Sequence, residues 1–338
     1  MSAPPLYQLF WEFTLRCNLS CRHCGSECRV GTNIKDMPFE HIAPTLDEIR
    51  CAQPRVKTIV VTVGGEPLMR DDLAECGSRI TRKGFYWGTV TNAMLLDGPM
   101  MRNMLDAGLT AISIDVDGLP DDHNWLRCNS SSFDNAYNAI THLRKARNIA
   151  WDVITCVNPR NIHHLDELKR MLVDAGVRAW RCFTIFPAGR AVSDDRLQLS
   201  DEDLRRLMDF IVETRREGKI ELSYSCEGFL GGYEMKVRSH PFQCQSGTSV
   251  ASVRINGDIS GCLSMRADYS QGNIYCDSFW DVWTNRFNVF RNRSWMRRGI
   301  CLDCEWFDLC MGNGLHLRDE GGNLVTCHYH RLFPGSKP

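Results

Sequence analysis

No stretch of this chain approaches the roughly 18 consecutive apolar residues that a membrane-crossing helix needs. The N-terminus, Met1-Ser-Ala-Pro-Pro-Leu6, lacks a basic region followed by an apolar run, so no export signal is read there. Excess charge of one sign is missing too, since 40 Lys and Arg stand against 41 Asp and Glu for a formal net charge of -1. That balance gives no electrostatic case for nucleic acid or an anionic membrane as partner. A soluble, cytoplasmic protein is the expectation. The 338 residues allow about two domains, and 43% hydrophobic content suffices for full-sized cores.

Cysteine, by contrast, is abundant. In a large chain without an export signal, 17 cysteines point to metal in a reducing compartment rather than to a disulfide framework. Most fall in two groups, Cys17 to Cys28 and Cys226 to Cys327. Cys51, Cys76, Cys128, Cys156 and Cys182 are scattered between them and are read as small buried packing residues, as in Val153-Ile-Thr-Cys-Val157.

The first group reads Cys17-Asn-Leu-Ser-Cys21-Arg-His-Cys24 and follows an extended apolar segment. Three thiolates are one short of closing a tetrahedral zinc site or a four-iron cluster, so a cluster held by them keeps one iron open. A zinc knuckle completed by Cys28 or His23 is the alternative. The C-x3-C-x2-C spacing resembles the opening motif of the radical S-adenosylmethionine (SAM) superfamily. The resemblance implies a [4Fe-4S] cluster whose open iron chelates SAM and whose electron cleaves it to a 5′-deoxyadenosyl radical. In that family the position of His23 lies against the adenine, which we prefer to a zinc-ligand role.

Downstream, short β-rich runs alternate with helical periodicity. The strands expected are 9–14, 58–63, 86–91, 111–116, 152–157 and 179–186, and the helices include 70–82, 99–107, 133–147, 162–175 and 200–216. Gly84, Gly108 and Gly176 sit where helices would stop, and Ser200-x-x-Asp203 resembles a capping box. Six βα units imply an α/β fold with a parallel sheet, either a partial (β/α)6 TIM-like barrel or an open doubly wound sheet. The family resemblance favours the partial barrel. Either way, reactive groups belong at the C-terminal ends of the strands.

Further motifs fall at those ends. Gly64-Gly65-Glu66-Pro67 follows the second strand, with glycines that let backbone approach a ligand and a carboxylate to present to a cation. Taken alone it is a plain strand-to-helix turn; one βα unit after the cysteine loop, it matches the family's SAM-ammonium motif. Thr91, Asn92, Ser113, Asp115 and Asn158 stand at later strand ends, where the resemblance implies contacts to ribose or the methionyl group. His123 and Arg127 resemble the family's H-D-x-x-R element, with Asn124 in place of Asp, and Arg127 could pair with the SAM carboxylate. Pro187-Ala-Gly-Arg-Ala191 resembles its P-x-G-R-A turn. Each of these weaker matches could equally be an ordinary polar loop residue or cap.

From about Cys226 onward Gly-rich loops, aromatics and cysteines replace the βα rhythm, and the expected division is 1–218 and 219–338. Cys244-x12-Gly257-x4-Cys262, Cys301-x2-Cys304-x5-Cys310 and Cys327 resemble the SPASM domain, a small Cys-rich α+β extension that carries auxiliary clusters. Asn256-Gly257 is a strong hairpin turn that would bring Cys262 near Cys244. By the family's ligand sharing, Cys301, Cys304, Cys310 and Cys327 form a complete distal cluster, for which structural zinc is the alternative. The family's sixth cysteine is Gly314 here. The proximal site therefore has Cys244 and Cys262, with Cys226 as the upstream candidate. It is left to be absent, smaller, open, or completed by a residue such as His240 or His316. The aromatic stretch Phe279-Trp-Asp-Val-Trp283 is read as core packing.

The resemblance implies an oxygen-sensitive oxidoreductase that abstracts hydrogen from a peptide or protein side chain and uses an electron donor such as flavodoxin or ferredoxin. Leu263 stands where sulfatase-maturing relatives have aspartate, which argues against formylglycine formation. No leader-capturing domain is expected before the first strand. The stretch from Cys301 to Arg318 is similar to SPASM proteins of anaerobes that occur beside a small lipoprotein, so the substrate could be a small neighbouring-gene product. The alternatives are an enzyme acting on a small molecule or tetrapyrrole precursor, and a non-enzymatic zinc scaffold.

Overall fold

The computed structural model describes residues 3–335 apart from 27, 30, 186, 226, 266 and 267. Ten strands form one sheet: β1 (Gln8–Thr14), β2 (Ile59–Gly64), β3 (Tyr86–Thr91), β4 (Leu109–Asp115), β5 (Ala150–Val157), β6 (Ala179–Thr184), β7 (Glu221–Tyr224), β8 (Val250–Val253), β9 (Asp258–Ser260) and β10 (Gly272–Asn273). Their order is β10-β9-β8-β1-β2-β3-β4-β5-β6-β7. From β1 to β7 every neighbour is parallel and in chain order. A doubly wound sheet reverses its strand order at a switch point. This one does not, and the architecture is the partial β/α barrel.

Helices α1 (Phe39–Ala52), α2 (Leu73–Arg82), α3 (Gly98–Asp106), α4 (Pro120–Arg127), α5 (Ser132–Leu143), α6 (Leu165–Asp174) and α7 (Asp201–Glu217) lie between the strands. The expected cap of α7 is formed: Ser200 Oγ accepts from the Asp203 N–H at 3.0 Å, and the helix stops at left-handed Gly218. Helix α1 is harder to read from sequence because Pro44 interrupts it. An interior proline costs about 3 kcal/mol. Burial of Phe39, Ile42, Leu46 and Ile49 contributes roughly 1.5 to 3 kcal/mol each, so packing wins.

The barrel core is anchored by Trp11, Trp87 and Trp180, all fully buried. Each indole N–H has a partner, as burial demands: Met37 Sδ at 3.1 Å, Thr62 Oγ1 at 3.2 Å and Thr155 Oγ1 at 2.8 Å. The expected hairpin is β8–β9, but it is not a separate sheet. β8 pairs in parallel with β1, from Gln8 opposite Val250 to Trp11 opposite Val253, so the C-terminal third continues the barrel sheet. β7 also lies beyond residue 218 and still belongs to that sheet. Among the later helices, α8 (Glu234–Val237) and α9 (Phe279–Asn285), α9 buries Phe279, Val282 and Trp283 as packing. Of the five scattered cysteines, Cys76 and Cys182 are buried as expected, Cys156 is half-buried, and Cys51 and Cys128 depart from expectation in being exposed. Cys51 lies in the last turn of α1 and Cys128 is the left-handed cap of α4, positions where helical ends face solvent.

Candidate active site

The cysteine loop leaves the C-terminal end of β1 and is held from three sides. From β2, the Gly65 N–H donates to Thr14 O at 2.8 Å and the Glu66 N–H to Arg16 O at 2.7 Å. A Cβ at Gly64 would lie 2.1 Å from Thr14 O, and one at Gly65 2.0 Å from Arg16 O. Gly64 also has φ +128°, so both glycines are needed for this approach. From β6, the Pro187 to Ala191 turn brings Arg190 across the loop. Its backbone N–H donates to Cys24 O at 3.0 Å, Nε to Cys21 O at 2.7 Å and Nη1 to Cys28 O at 3.2 Å. From α4, the carbonyls of Leu126 and Trp125 accept from Arg22 N and Nε at 2.9 and 3.0 Å.

Beneath the loop lies a cavity of about 340 Å³, with Cys17, Cys21, Cys24 and Cys28 on one wall. The neighbouring Cys28 thiol holds Cys24 below the ordinary thiol range, whereas burial pushes Cys21 up to about 12. Gly64, Gly65 and Glu66 form the facing wall. Pro67 does not line the cavity but opens the short turn Pro67–Met69 that follows. Glu66 is buried, and Oε1 accepts from Thr91 Oγ1 at 2.6 Å and Leu68 N at 3.0 Å, while Oε2 accepts from Asn92 N at 2.8 Å. Burial raises its pKa to about 7. Thr91 and Asn92 therefore line the cavity partly by positioning Glu66, and Asn92 Nδ2 also reaches Asn18 Oδ1 at 2.8 Å.

Asp115 and Arg127 also face this space. Arg127 Nη2 lies 3.2 Å from Asp115 Oδ2, and Nε lies 2.5 Å from Oδ2 of the fully buried Asp117. His123 packs behind them, with Nδ1 accepting from Asp117 N at 2.9 Å. Ser113 and Asn158 do not line the cavity. Ser113 Oγ donates to Asp152 Oδ1 at 2.6 Å, and Asn158 Nδ2 turns back to Cys156 O at 3.2 Å. The C-terminal third contributes Cys262, Leu263 and Ser264 to the same wall, so one candidate auxiliary ligand borders the core cavity. Sequence reasoning missed Asp117 and the bracing role of Arg190; the only signal for the latter was the Pro187 to Ala191 turn.

Cys301, Cys304, Cys310 and Cys327 line one small cavity of about 20 Å³. Burial and the neighbouring sulfurs push Cys310 up to about 12 and raise Cys327 as well, so these two thiols ionise more readily with a cation beside them. Cys244 and Cys262 are half-buried, and Cys226 lies outside the described residues. His316 is half-buried, and burial lowers its pKa to about 4. His240 is exposed.

Zn–S bonds of about 2.3 Å put four tetrahedral thiolates within about 4 Å of one another. Among the described residues, the one group of three or more such ligand atoms within 4.8 Å is His23, Asp117 and Cys156, and it contains none of the motif cysteines. A cation there would face the Arg127 guanidinium already paired with Asp117. His23 lines the cavity; its Nδ1 is buried with no hydrogen-bond partner among the described residues, and burial lowers the ring to about 4, which keeps it neutral.

The Radical SAM superfamily pattern matches residues 11–172, and that of an iron-sulfur cluster-binding domain, SPASM, matches 244–305. The chain is a radical SAM enzyme with a C-terminal SPASM domain. Its cofactors are a [4Fe-4S] cluster, SAM and auxiliary iron-sulfur clusters. It is 27% identical to the AdoMet-dependent heme synthase of Methanosarcina barkeri over 99% of both chains. It is 26% identical to the mycofactocin maturase MftC of Mycolicibacterium smegmatis, over 90% of this chain and 76% of that protein. The fold is similar to Streptococcus suis SuiB bound to precursor peptide SuiA, with a TM-score of 0.75 at 15% identity, covering 96% of this chain and 76% of SuiB. No helix among the described residues is long and apolar enough to cross a membrane.

Proposed function

We propose that this radical SAM enzyme oxidises a peptide or protein side chain, with Cys17, Cys21 and Cys24 holding the core cluster. The observation that carries the substrate class is an outer cavity of about 480 Å³, bounded by Gly25 and Ser26 of the cysteine loop, the turn at Ala188 and the segment His316 to Glu320. Its described acidic residues are Asp319 and Glu320, and both are exposed. The one guanidinium among its described residues, Arg318, donates to the carbonyls of Gly312 and Gly322, each at 2.8 Å. Tetrapyrrole precursors of haem are polycarboxylates and would meet an acidic rim with its arginine already engaged. A peptide side chain that is neutral or basic meets no such penalty.

When bound, the cluster and SAM supply a 5′-deoxyadenosyl radical for hydrogen abstraction. The protein's part is positional. Glu66 would accept the SAM ammonium, with Thr91 and the Asn92 N–H holding the carboxylate in place. His23 would set its neutral ring against the adenine, and Asp115 would face the ribose. Arg127 is engaged by Asp115 and Asp117, so it reaches a SAM carboxylate only by sharing its fork; Ser113 and Asn158 support the wall from behind. Cys301, Cys304, Cys310 and Cys327 would hold the distal auxiliary cluster. The reducing cytoplasm suits so many thiols, and a soluble donor such as flavodoxin or ferredoxin would deliver the electron.

A second reading, action on a haem precursor, is favoured by the end-to-end match with the M. barkeri heme synthase. The deciding experiment reconstitutes the clusters anaerobically and supplies SAM and dithionite. It then compares 5′-deoxyadenosine formation and substrate mass with a small protein encoded beside the gene and with iron-coproporphyrin. Mass loss on the protein supports our reading, and conversion of the porphyrin overturns it.

A further inference from the structure

Gly314 stands where the resemblance to the SPASM pattern implies a cysteine ligand, and the surrounding structure has filled the gap. A Cβ built on Gly314 would lie 2.6 Å from Cε1 and 2.8 Å from Nδ1 of His316. The imidazole therefore stands in the space that a side chain at position 314 would enter. We propose that His316 supplies, through an imidazole nitrogen, the ligand that Gly314 cannot, completing an iron-sulfur site with Cys244 and Cys262.

Four chain segments converge on this place. Arg293 ties two of them, donating from Nη1 to Asn313 O and from Nη2 to Cys244 O, each at 3.2 Å. Asn313 Oδ1 accepts from Phe229 N at 2.8 Å, which draws in the segment that follows Cys226. The turn bearing Cys262 packs on the residues after Cys244, because a Cβ at Gly261 would lie 1.9 Å from Ser246 Oγ. Arg293 and Asn313 are themselves buried, so the convergence is built into the domain. Imidazole in place of one thiolate removes a negative charge from the cluster and raises its reduction potential, as in mixed Cys/His clusters generally. Because Cys262 also borders the core cavity, such a cluster would be an electron acceptor beside the substrate.

The test needs no substrate, so its failure would leave the peptide reading untouched. The full chain carrying Cys17→Ala, Cys21→Ala and Cys24→Ala is reconstituted with iron and sulfide, labelled with 15N-histidine, and reduced. Iron per chain and pulsed-EPR nitrogen coupling are then read. We expect a histidine nitrogen coupling that disappears in His316→Ala together with part of the iron. His316→Cys should keep the iron, lose the coupling and lower the midpoint potential, which guards against a mere folding defect in the alanine variant. No histidine coupling, or coupling that persists in His316→Cys, overturns the assignment.

Discussion

Arg190 Nε donates to the carbonyl oxygen of Cys21 at 2.7 Å, linking the end of β6 to the centre of the cysteine loop. With its bonds to Cys24 O and Cys28 O, this arginine spans the loop from a strand far away in sequence. Charged hydrogen bonds contribute about 1.5 to 3 kcal/mol each. Arg190→Ala should therefore lose core-cluster iron and cut 5′-deoxyadenosine formation by about tenfold or more, since about 1.4 kcal/mol already corresponds to a factor of ten. Arg190→Lys should rescue it poorly, because one ammonium cannot reproduce the planar fork. Iron per chain and the cleavage rate check both.

Gly65→Ala should be far more damaging than a typical glycine substitution. The new Cβ would meet the Arg16 carbonyl at 2.0 Å, and neither backbone can yield without displacing the cysteine loop. We expect a loss of about 4 kcal/mol or more, the range reserved for core defects. Gly176→Ala provides the comparison: its φ is +86° but nothing lies within 4 Å, so only the left-handed strain of about 1 to 2 kcal/mol remains. Urea midpoints of the two variants should differ accordingly.

Glu66 links pH to both stability and SAM binding. Folding raises its pKa from the ordinary 4.5 to about 7 because the carboxyl is buried. The folded state therefore binds the proton more tightly, and this residue's contribution to stability is full below pH 4.5 and lost as pH rises through about 7. SAM affinity should run the opposite way, strengthening as the carboxylate forms. Titration calorimetry on holoenzyme should show tightening centred near pH 7, which is flat and at least about tenfold weaker in Glu66→Gln. Unchanged affinity in that variant would remove Glu66 from the binding site.

Alkylation should separate the cysteines by exposure. In the metal-free chain, iodoacetamide should label the exposed Cys51, Cys128 and Cys276 first and leave buried Cys76 and Cys182 unlabelled until denaturation. Reconstitution should then protect Cys301, Cys304, Cys310 and Cys327 as a group. Peptide mass mapping reads both stages, and early labelling of Cys182 would contradict the packing of β6.

The βα rhythm was legible because it rests on local periodicity, and most expected strands agree with the observed ones to within two residues. Helix α1 escaped because Pro44 breaks the pattern that tertiary burial overrides. β7 escaped because four residues, Glu221–Tyr224, carry too little alternation to register. The exposed Cys128 was misread for a related reason. Cysteine is usually buried, but nothing local says that α4 ends there in a left-handed cap.

The chemistry on offer is written along the chain: thiols at C-x3-C-x2-C spacing, a Gly-Gly-Glu-Pro turn one unit later, and a second cysteine set ending in Cys327. Those are relations along the chain, and covalent spacing preserves them whatever the fold. Which groups meet is a property of the folded chain. Folding engaged Arg127 with Asp115 and Asp117, and it turned Ser113 and Asn158 away from the cavity. It also paired β8 with β1, and set the His316 ring against Gly314. Each of those depends on side-chain direction and hydrogen bonds between distant segments, which local periodicity does not encode.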